Sequence, residues 1–589
     1  MTAYKAPLRE YGFLLNELLD YNALCQLPGF EDATSDMVDA VLGEAAKLFE
    51  NVLAPTNQTA DQQGTKLENK AVVPAPVLDG IYQQLVEGGW LSLSSDPDFG
   101  GQGFPELVGV AVEEMMQSAN MAFSLAPMLT RGVVASLRQF GSVEQQQKYL
   151  PKLISGEWAG TMQLTESQAG SDLAAIKTRA VPEGDHYRIT GSKIFITWGD
   201  QPYTDNIIHL VLARTPDAPE GTKGISMFIV PKFLDNGERN DNYPVSVEHK
   251  MGIHASPTCV MSFGDEGGAI GYLVGEENKG LMYMFATMNA ARLSVGQEGI
   301  STAERAYQQA VAYAKDRVQG QVAGMSGKAA IINHADVKRM LMKMRALIEA
   351  GRALSFAAIR ENDISHHHPD ADVRANAARR VEVFTPIVKA WGSEAGSEVT
   401  SLGVQVHGGM GFVEETGAAQ HMRDVRIAAI YEGTNGIQAL DLVGRKTLRD
   451  GGEGVRELLG YIKSRVAEVG AADTKLAAAA TTALESCDAT VAIILDNVNA
   501  DPHYAGSVAF NYLMQMGTSV AGALLIVSGL LAQQQIDAGS SDPFYRQKVA
   551  TAKFYAAHLL PHAEAYAASV RAGFAEITAL GEEDFDTLA

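Results

Sequence analysis

The stretch HYRITGSKIFIT, which runs from His186 to Thr197, carries the clearest strand signal in the sequence. β-Branched and aromatic residues predominate in its two halves, His186–Thr190 and Lys193–Thr197. Gly191 and Ser192, which separate the halves, are a typical turn dipeptide. The pattern therefore predicts two strands joined by a turn.

Short β-rich runs of this kind continue from about residue 160 to about residue 275, broken by Gly, Pro, Asp and Asn. Further examples are Ile207–Ala213, Ile225–Val230 and Val245–Glu248. Their lengths and spacing favour an antiparallel sheet or barrel over alternating strand–helix units.

Helical periodicity flanks this region on both sides. The first 155 or so residues are mostly helical in pattern, and long apolar-periodic segments return at Leu281–Tyr313, Ala335–Ser355 and Ala371–Leu402. Long helices joined by short loops predict an antiparallel bundle. The glycine-rich stretch Asp450–Gly454 resembles a linker to a further helical module. The predicted fold is α+β and multidomain, with domains at residues 1–159, 160–276, 277–449 and 455–589.

The bulk composition excludes several classes of protein. A formal net charge of −23 leaves no basic surplus for nucleic acid. The three cysteines are too widely spaced for a disulfide framework or a zinc site. No signal peptide is visible, and the apolar run Val520–Ala532 is shorter than a membrane span, so it is predicted to be a buried helix. A cytoplasmic enzyme without a membrane span is expected.

The segment Ile430–Gln438, IYEGTNGIQ, is the strongest candidate for chemistry. It joins two helical stretches, and Thr434 and Asn435 are good N-cap residues for the second. Glu432 fits either a solvated helix corner or a general base whose pKa is raised by desolvation beside Ile430 and Tyr431.

Two further segments are weaker signals when taken alone. The glycines in Gln405–Phe412 can bring the backbone close to a diphosphate, although an ordinary turn has the same composition. Leu164–Asp172 and Lys193–Thr197 offer hydroxyl groups and amides for a polar ring.

No metal site is predicted, because His366–His368 reads as a solvated loop. Glu166 is expected to have no neighbour that tunes it.

The order and spacing of four motifs resemble the acyl-CoA dehydrogenases. They are L-T-E-x-x-A-G-S-D, K-x-F-I-T, Q-V-H-G-G-M-G-F and I-Y-E-G-T-N-G-I-Q, and the likeness extends from about Tyr82 to Arg445. The resemblance implies an N-terminal helical domain, a central β-barrel and a C-terminal four-helix bundle. The additional C-terminal helical domain is similar to that of a bacterial branch of about 600 residues.

The resemblance also implies a role for each matching residue. Glu432 matches the catalytic base, and FAD is the implied cofactor. Residues that match FAD contacts are Met162, Thr165, Phe195, Thr197, Arg317, Gln405, Gly408, Gly409 and Thr434. Those that match substrate contacts are Ser171, Arg292 and Gly433. The chain departs from the family pattern at Gln319, Gly320 and Gly436. The alternative base position, at Ala290 and Ala291, has no carboxylate.

The implied reaction is dehydrogenation of an acyl-CoA thioester to trans-2-enoyl-CoA. Members of the branch act on fatty acyl-CoA or 3-methylmercaptopropionyl-CoA. The implied partner is an electron-transfer flavoprotein, and the implied assembly is a homodimer or homotetramer. Two alternatives stay open: an acyl-CoA oxidase that uses O₂, and a non-catalytic protein that binds acyl-CoA or flavin.

Overall fold

The computed structural model describes residues 3–586, apart from the side chains of residues 286, 287, 289 and 290. The described chain divides into two compact units. The β unit comprises Ala3–Ala6 and Val41–Ser294, and the helical unit comprises Pro7–Ala40 and residues 295–586. The four predicted domain boundaries stay predictions.

The structure confirms the three long helices that periodicity predicted, and it extends each of them at its C-terminal end. The α-helices are, in chain order, α1 (Leu8–Phe13), α2 (Tyr21–Leu24), α3 (Ser35–Leu48), α4 (Asn57–Gln63), α5 (Ile81–Glu87), α6 (Glu106–Ala119), α7 (Met121–Phe140), α8 (Val143–Ser155), α9 (Gly280–Asp316), α10 (Ala335–His367), α11 (Ala371–His407), α12 (Ala418–Val425), α13 (Asn435–Val443), α14 (Glu453–Val469), α15 (Thr474–Asn497), α16 (Tyr504–Asp537), α17 (Pro543–His558) and α18 (Pro561–Ala572).

The β unit contains a curled sheet of eight strands, β3 to β10. The strands are β1 (Lys66–Glu68), β2 (Ala71–Val73), β3 (Trp158–Gln163), β4 (Arg179–Glu183), β5 (His186–Thr197), β6 (Asn206–Ala213), β7 (Ser226–Pro231), β8 (Asn242–Val247), β9 (Thr258–Phe263), β10 (Ala269–Leu273), β11 (Val318–Gln321) and β12 (Lys328–Ala330). The order is β3-β6-β7-β10-β5-β9-β8, with β4 paired to β5. The β3–β6 pair is parallel and the other pairs are antiparallel. The predicted central β domain is thus confirmed.

The predicted turn at Gly191 and Ser192 is wrong, because β5 runs unbroken from His186 to Thr197. Its first half pairs with β4 and β10, and its second half pairs with β9. Glycine is needed at this position because Thr178 packs closely against the strand: a Cβ atom at Gly191 would lie 2.5 Å from the Thr178 hydroxyl oxygen. A glycine inside a strand pattern marks a tight backbone contact here and not a chain reversal.

Within the helical unit, α9 and α11 cross with their backbones in contact. A Cβ atom at Gly299 would lie 2.3 Å from the carbonyl oxygen of Gly392. A Cβ atom at Gly396 would lie 2.5 Å from the carbonyl oxygen of Gly299. Because only glycine permits this distance, the crossing depends on these residues and brings α9 close to the segments that pack on α11.

Two helices of the described chain have the length and mean hydropathy of a membrane span, α15 and α16. The apolar window of α16 is entirely buried within the structure, whereas one third of the α15 window is buried. The predicted buried helix at Val520–Ala532 is confirmed as part of α16.

The C-terminal helices are joined to the rest of the helical unit by a buried ion cluster. The Lys548 ammonium on α17 lies 2.6 Å from a Glu10 oxygen and 2.7 Å from a Glu349 oxygen. Charges this deeply buried persist only when paired, so the cluster ties together α1, α10 and α17.

The predicted solvated loop at His366–His368 is wrong in part, because His366 and His367 form the last turn of α10. The ring of His367 packs on Phe30.

Candidate active site

In the β unit, the segment after β3 is held in place by a buried ion pair. The Lys193 ammonium lies 2.8 Å from the Glu166 carboxylate and donates to the Leu164 carbonyl at 3.0 Å. Glu166 also accepts hydrogen bonds from the Thr178 hydroxyl and from the amides of Lys177 and Thr178. The loop that carries Thr165 is therefore fixed to β5.

The expectation that Glu166 has no tuning neighbour is wrong. Burial alone would raise the pKa of Glu166, but the Lys193 ammonium, together with the Thr178 and Lys177 hydrogen bonds, lowers that pKa to about 2. Burial lowers the pKa of Lys193 to about 8, against the opposing attraction of Glu166. Twenty-seven residues separate the two side chains, so no local pattern reveals the pair.

A bulge in β5 presents Phe195. The register of β5 against β9 shifts between Lys193 and Ile196, and Phe195 takes a left-handed backbone conformation with φ of 59°. Its ring is 60% exposed. The Ile194 amide donates to the Thr165 carbonyl at 2.9 Å. The Thr165 backbone therefore lies beside that of Ile194, the residue before Phe195.

The other predicted residues of the β unit lie on two strands, a loop and a helix. Met162 is buried near the end of β3, and Thr197 is half-buried at the end of β5. Ser171 is exposed in the loop after β3, whereas Arg292 is buried on α9. Ala291 is buried too, and the side chain of Ala290 lies outside the described residues.

In the helical unit, the end of α9 meets the end of α11. The rings of Tyr313 and His407 stack with their centroids 4.5 Å apart. Arg317 follows Tyr313 by four residues, and Gln405, Gly408 and Gly409 lie within two residues of His407; all four are exposed. Gly408 ends α11 with φ of 59°, and a Cβ atom at Gly408 or Gly409 would meet nothing within 4 Å. The backbone is open to a ligand at this point.

The segment Ile430–Gln438 comprises a tight loop, Ile430–Thr434, and the first turn of α13. Glu432 is half-buried and has a positive φ of 55°, and Gly433 follows with φ of 85°. Thr434 is the N-cap of α13, as predicted, and its hydroxyl accepts from the Ile437 amide at 3.2 Å. A glutamate in the left-handed region is strained, and strain of this kind collects at functional sites.

Buried side chains hold this loop from the α13 side. The Gln438 amide donates to the carbonyls of Glu432 at 3.2 Å and Gly433 at 3.4 Å. The Asn435 side chain accepts from Lys389 at 2.9 Å and donates to Glu394 at 2.7 Å. These partners of Asn435 lie on α11, so this helix fixes where α13 begins.

The two clusters of the helical unit lie at different points along α11. The Ile430–Gln438 segment is hydrogen-bonded to α11 at Ser393, through Asn435, and Gln405 follows twelve residues later. At a helical rise of about 1.5 Å per residue the separation is roughly 18 Å. Sequence reasoning missed Glu298 and Lys389, since each acts as a buried partner and belongs to none of the four motifs. It also gave no role to Gln438, the last residue of the fourth motif.

Comparison with known proteins assigns the chain to a family. Models described as the N-terminal, middle and C-terminal domains of acyl-CoA dehydrogenase match residues 35–157, 161–265 and 278–447. A model described as acetyl-CoA dehydrogenase C-terminal like matches residues 458–581.

Two curated relatives are similar over nearly their whole length. The chain is 45% identical to the 3-methylmercaptopropionyl-CoA dehydrogenase of Ruegeria pomeroyi, over 95% of this chain and 96% of the relative. It is 34% identical to a butyryl-CoA dehydrogenase of Syntrophomonas wolfei, over 95% of each chain. An acyl-CoA dehydrogenase of Bacillus anthracis, solved with FAD, shares the fold with a TM-score of 0.73 and 22% identity, over 96% of this chain and 92% of that one.

The chain belongs to the acyl-CoA dehydrogenase family. The predicted family, fold, reaction class and FAD cofactor are therefore confirmed. The role of each predicted site residue stays a prediction.

The chemistry of the predicted FAD residues fits the cofactor. An isoalloxazine ring has a flat apolar face and polar edges, and the bulge in β5 offers an exposed phenyl ring with the Thr165 and Thr197 hydroxyl groups nearby. A diphosphate needs cations and open amides, which the exposed Arg317 and the Gly408–Gly409 backbone provide.

Proposed function

We propose that Glu432 is the base that removes the α-proton of a bound acyl-CoA. The observation that carries this proposal is the strained, firmly held loop that presents a half-buried carboxylate at this position. A proton α to a thioester is a weak acid at neutral pH, so its removal needs a base held at a fixed distance and angle.

The protein contributes position and proton transfer to the reaction. One Glu432 oxygen takes the α-proton as the Cα–Cβ double bond of trans-2-enoyl-CoA forms. FAD, when bound, supplies the two-electron acceptor for the hydrogen that leaves Cβ as hydride. Met162, Thr165, Phe195, Thr197 and Thr434 would hold the flavin ring, and Arg317, Gln405, Gly408 and Gly409 would hold the diphosphate and adenosine half. Ser171, Arg292 and Gly433 would bind the substrate.

The proposed substrate is a short acyl-CoA, first of all 3-methylmercaptopropionyl-CoA. The 45% identity to a dehydrogenase of that name, over 95% of the chain, supports this choice. The weaker likeness to a butyryl-CoA dehydrogenase supports the straight four-carbon thioester as the second candidate. The two acyl groups differ by a sulfur atom inside the chain and by its length.

The test is anaerobic flavin bleaching by thioesters of graded length, from butyryl-CoA to palmitoyl-CoA, with 3-methylmercaptopropionyl-CoA in the same series. We expect the sulfur-containing thioester to give the highest ratio of bleaching rate to Kd. A maximum at a long straight chain would overturn the substrate assignment and leave the reaction class intact. If air then releases peroxide from the reduced enzyme at the catalytic rate, the protein is an oxidase.

The proposed electron acceptor is an electron-transfer flavoprotein, and the proposed assembly is a homodimer or homotetramer in the cytoplasm. Exposed apolar side chains beside Gly408 and Gly409 support association, since Met410, Phe412 and Val413 are 49%, 87% and 40% exposed in the single chain. Light scattering of the holoenzyme should give a multiple of the 62.9 kDa chain mass. A monomer would contradict this assembly.

A further inference from the structure

Glu298 on α9 is a carboxylate with no exposed surface, since its relative exposure is 0%. Glutamate is almost never fully buried in proteins without a polar partner. The Tyr431 hydroxyl donates a hydrogen bond to this carboxylate. Tyr431 immediately precedes Glu432. The bond therefore joins the neighbour of the proposed base to Glu298, which lies 133 positions earlier in the chain, on α9.

The meeting of Glu298 and Tyr431 depends on the glycine crossing of α9 and α11. Gly299 is adjacent to Glu298, and its missing side chain lets α9 touch the Gly392 backbone. Ser393, the next residue on α11, accepts a hydrogen bond from the Asn435 side chain at 3.0 Å. The loop is therefore held on one side by α9 through Tyr431 and on the other side by α11 through Asn435.

Glu432 lies between these two attachments with φ of 55°. A non-glycine residue keeps this conformation only when its surroundings enforce it, because left-handed backbone brings Cβ too close to the following carbonyl oxygen. Thr434, Asn435 and Gln438 fix the chain after Glu432. Before Glu432, the Tyr431 amide bonds the Ile427 carbonyl at 3.1 Å, and the Tyr431 side chain is anchored by Glu298.

The electrostatics keep Tyr431 in the donor state. Burial, followed by the charge and hydrogen bond of Glu298 and the charge of Glu432, raises the pKa of the Tyr431 hydroxyl well above its ordinary range. The hydroxyl is therefore protonated at every pH where the enzyme works. The Tyr431 hydroxyl can therefore donate to Glu298 throughout that pH range.

We propose that Glu298 is a positioning residue for proton transfer, which holds Glu432 in its reactive conformation through the Tyr431 hydroxyl. The proposal rests on the proposed role of Glu432 as the base. Glu298 itself touches neither substrate nor flavin in this role. Its effect on the reaction is transmitted by one side-chain hydrogen bond.

The test measures proton removal separately from oxidation. Acetyl-CoA has α-hydrogens but no β-carbon, so the holoenzyme can exchange its methyl hydrogens with D₂O and cannot oxidise it. The exchange rate at saturating acetyl-CoA, measured by proton NMR, reports the action of the base. The dissociation constant of acetyl-CoA, the FAD content and the Tm are measured for the same samples.

Tyr431→Phe removes the donor and Glu298→Met removes the acceptor at similar volume. We expect each change to slow exchange by about tenfold to a hundredfold, as small misplacements of reacting groups do, with the acetyl-CoA Kd within about twofold of wild type. The double variant should be no slower than the slower single variant, because both changes break one bond. Glu298→Gln should recover most of the rate, since its amide oxygen still accepts the hydrogen bond.

Tyr545→Phe is the matched control, because it also deletes a tyrosine-to-glutamate hydrogen bond, to Glu17, within the helical unit. It should leave exchange unchanged. The proposal is overturned if Tyr431→Phe exchanges at the wild-type rate, or if the two single effects multiply in the double variant. If Glu298→Met does not fold, the exchange rates of Tyr431→Phe and Glu298→Gln still test the proposal. Failure of the underlying base assignment is recognised separately, since Glu432→Gln would then still exchange.

Discussion

The Lys193 ammonium lies 2.8 Å from the Glu166 carboxylate, and both groups are almost completely buried. This pair fastens the loop that carries Thr165 to the strand that carries Phe195. Two motifs that lie apart in the sequence thereby become one surface of the β unit. The stability of that surface depends on a charge pair that neither motif shows on its own.

Lys193→Met should strongly destabilise the β unit, because it leaves the Glu166 charge buried without its cation. Breaking a buried pair on one side costs about 3–5 kcal/mol. Hydrogen exchange of the backbone amides in residues 164–178 measures the loss locally. Lys193→Met combined with Glu166→Gln removes both charges and should recover much of the protection. Unchanged exchange in the single variant would show that the pair does not hold the loop.

Acid should weaken the same loop in a defined pH window. The pKa of Glu166 is about 2 in the folded protein, against an ordinary value of 4.5. A carboxylate whose folded pKa is lowered stabilises the fold fully above the ordinary value, and this contribution is lost as the pH falls from about 4.5 to about 2. The Tm difference between wild type and Glu166→Gln should shrink across that window. A difference that stays constant down to pH 2 would contradict the lowered pKa.

Gly299→Ala should disrupt the crossing of α9 and α11, because the added Cβ atom would lie 2.3 Å from the Gly392 carbonyl oxygen. Overpacking of this kind costs about 1–3 kcal/mol. Gly460→Ala on α14 is the control, since its Cβ atom meets nothing within 4 Å. That change should raise stability by about 0.5–1 kcal/mol through helix propensity. Urea denaturation of both variants measures the contrast, and equal effects would contradict the close crossing.

Phe195→Ala should weaken FAD binding without unfolding the protein, because the ring is 60% exposed and contributes little to the core. An aromatic contact is worth about 1 kcal/mol beyond its buried area, which corresponds to roughly fivefold in the Kd of FAD. Flavin fluorescence titration of the apoprotein gives that constant. Val245→Ala, at a 50% exposed position of the same sheet, should leave it unchanged. Equal affinities for FAD in all three proteins would remove Phe195 from the cofactor site.

Sequence periodicity predicted the order of the helices and the β-rich middle of the chain, because burial imposes a repeat of 3.6 or 2 residues on each element. The strand β5 exposes the limit of that reasoning. Gly191 and Ser192 have the composition of a turn, but the local pattern cannot tell that Thr178 packs against Gly191 and that the strand continues. Tertiary contact decides between the two structures.

The motifs marked the segments that carry the candidate site residues, and they did not predict what holds those segments in place. Glu432 is conspicuous because of its glycine-rich neighbours, whereas Glu298 is one glutamate inside a long helix. Its burial follows from Gly299 and Gly392 meeting across two helices, which are distant in sequence. The loop residue Glu166 shows no partner in its own segment for the same reason, since Lys193 lies on β5, 27 positions further along the chain.

The most direct test of the central claim is the anaerobic rate of flavin bleaching by 3-methylmercaptopropionyl-CoA in Glu432→Gln. The amide keeps the size of the side chain and removes only the proton acceptor. We expect FAD content and substrate Kd near the wild-type values, with bleaching slowed by a factor on the order of 10³ or more. Bleaching at the wild-type rate would show that another group removes the α-proton.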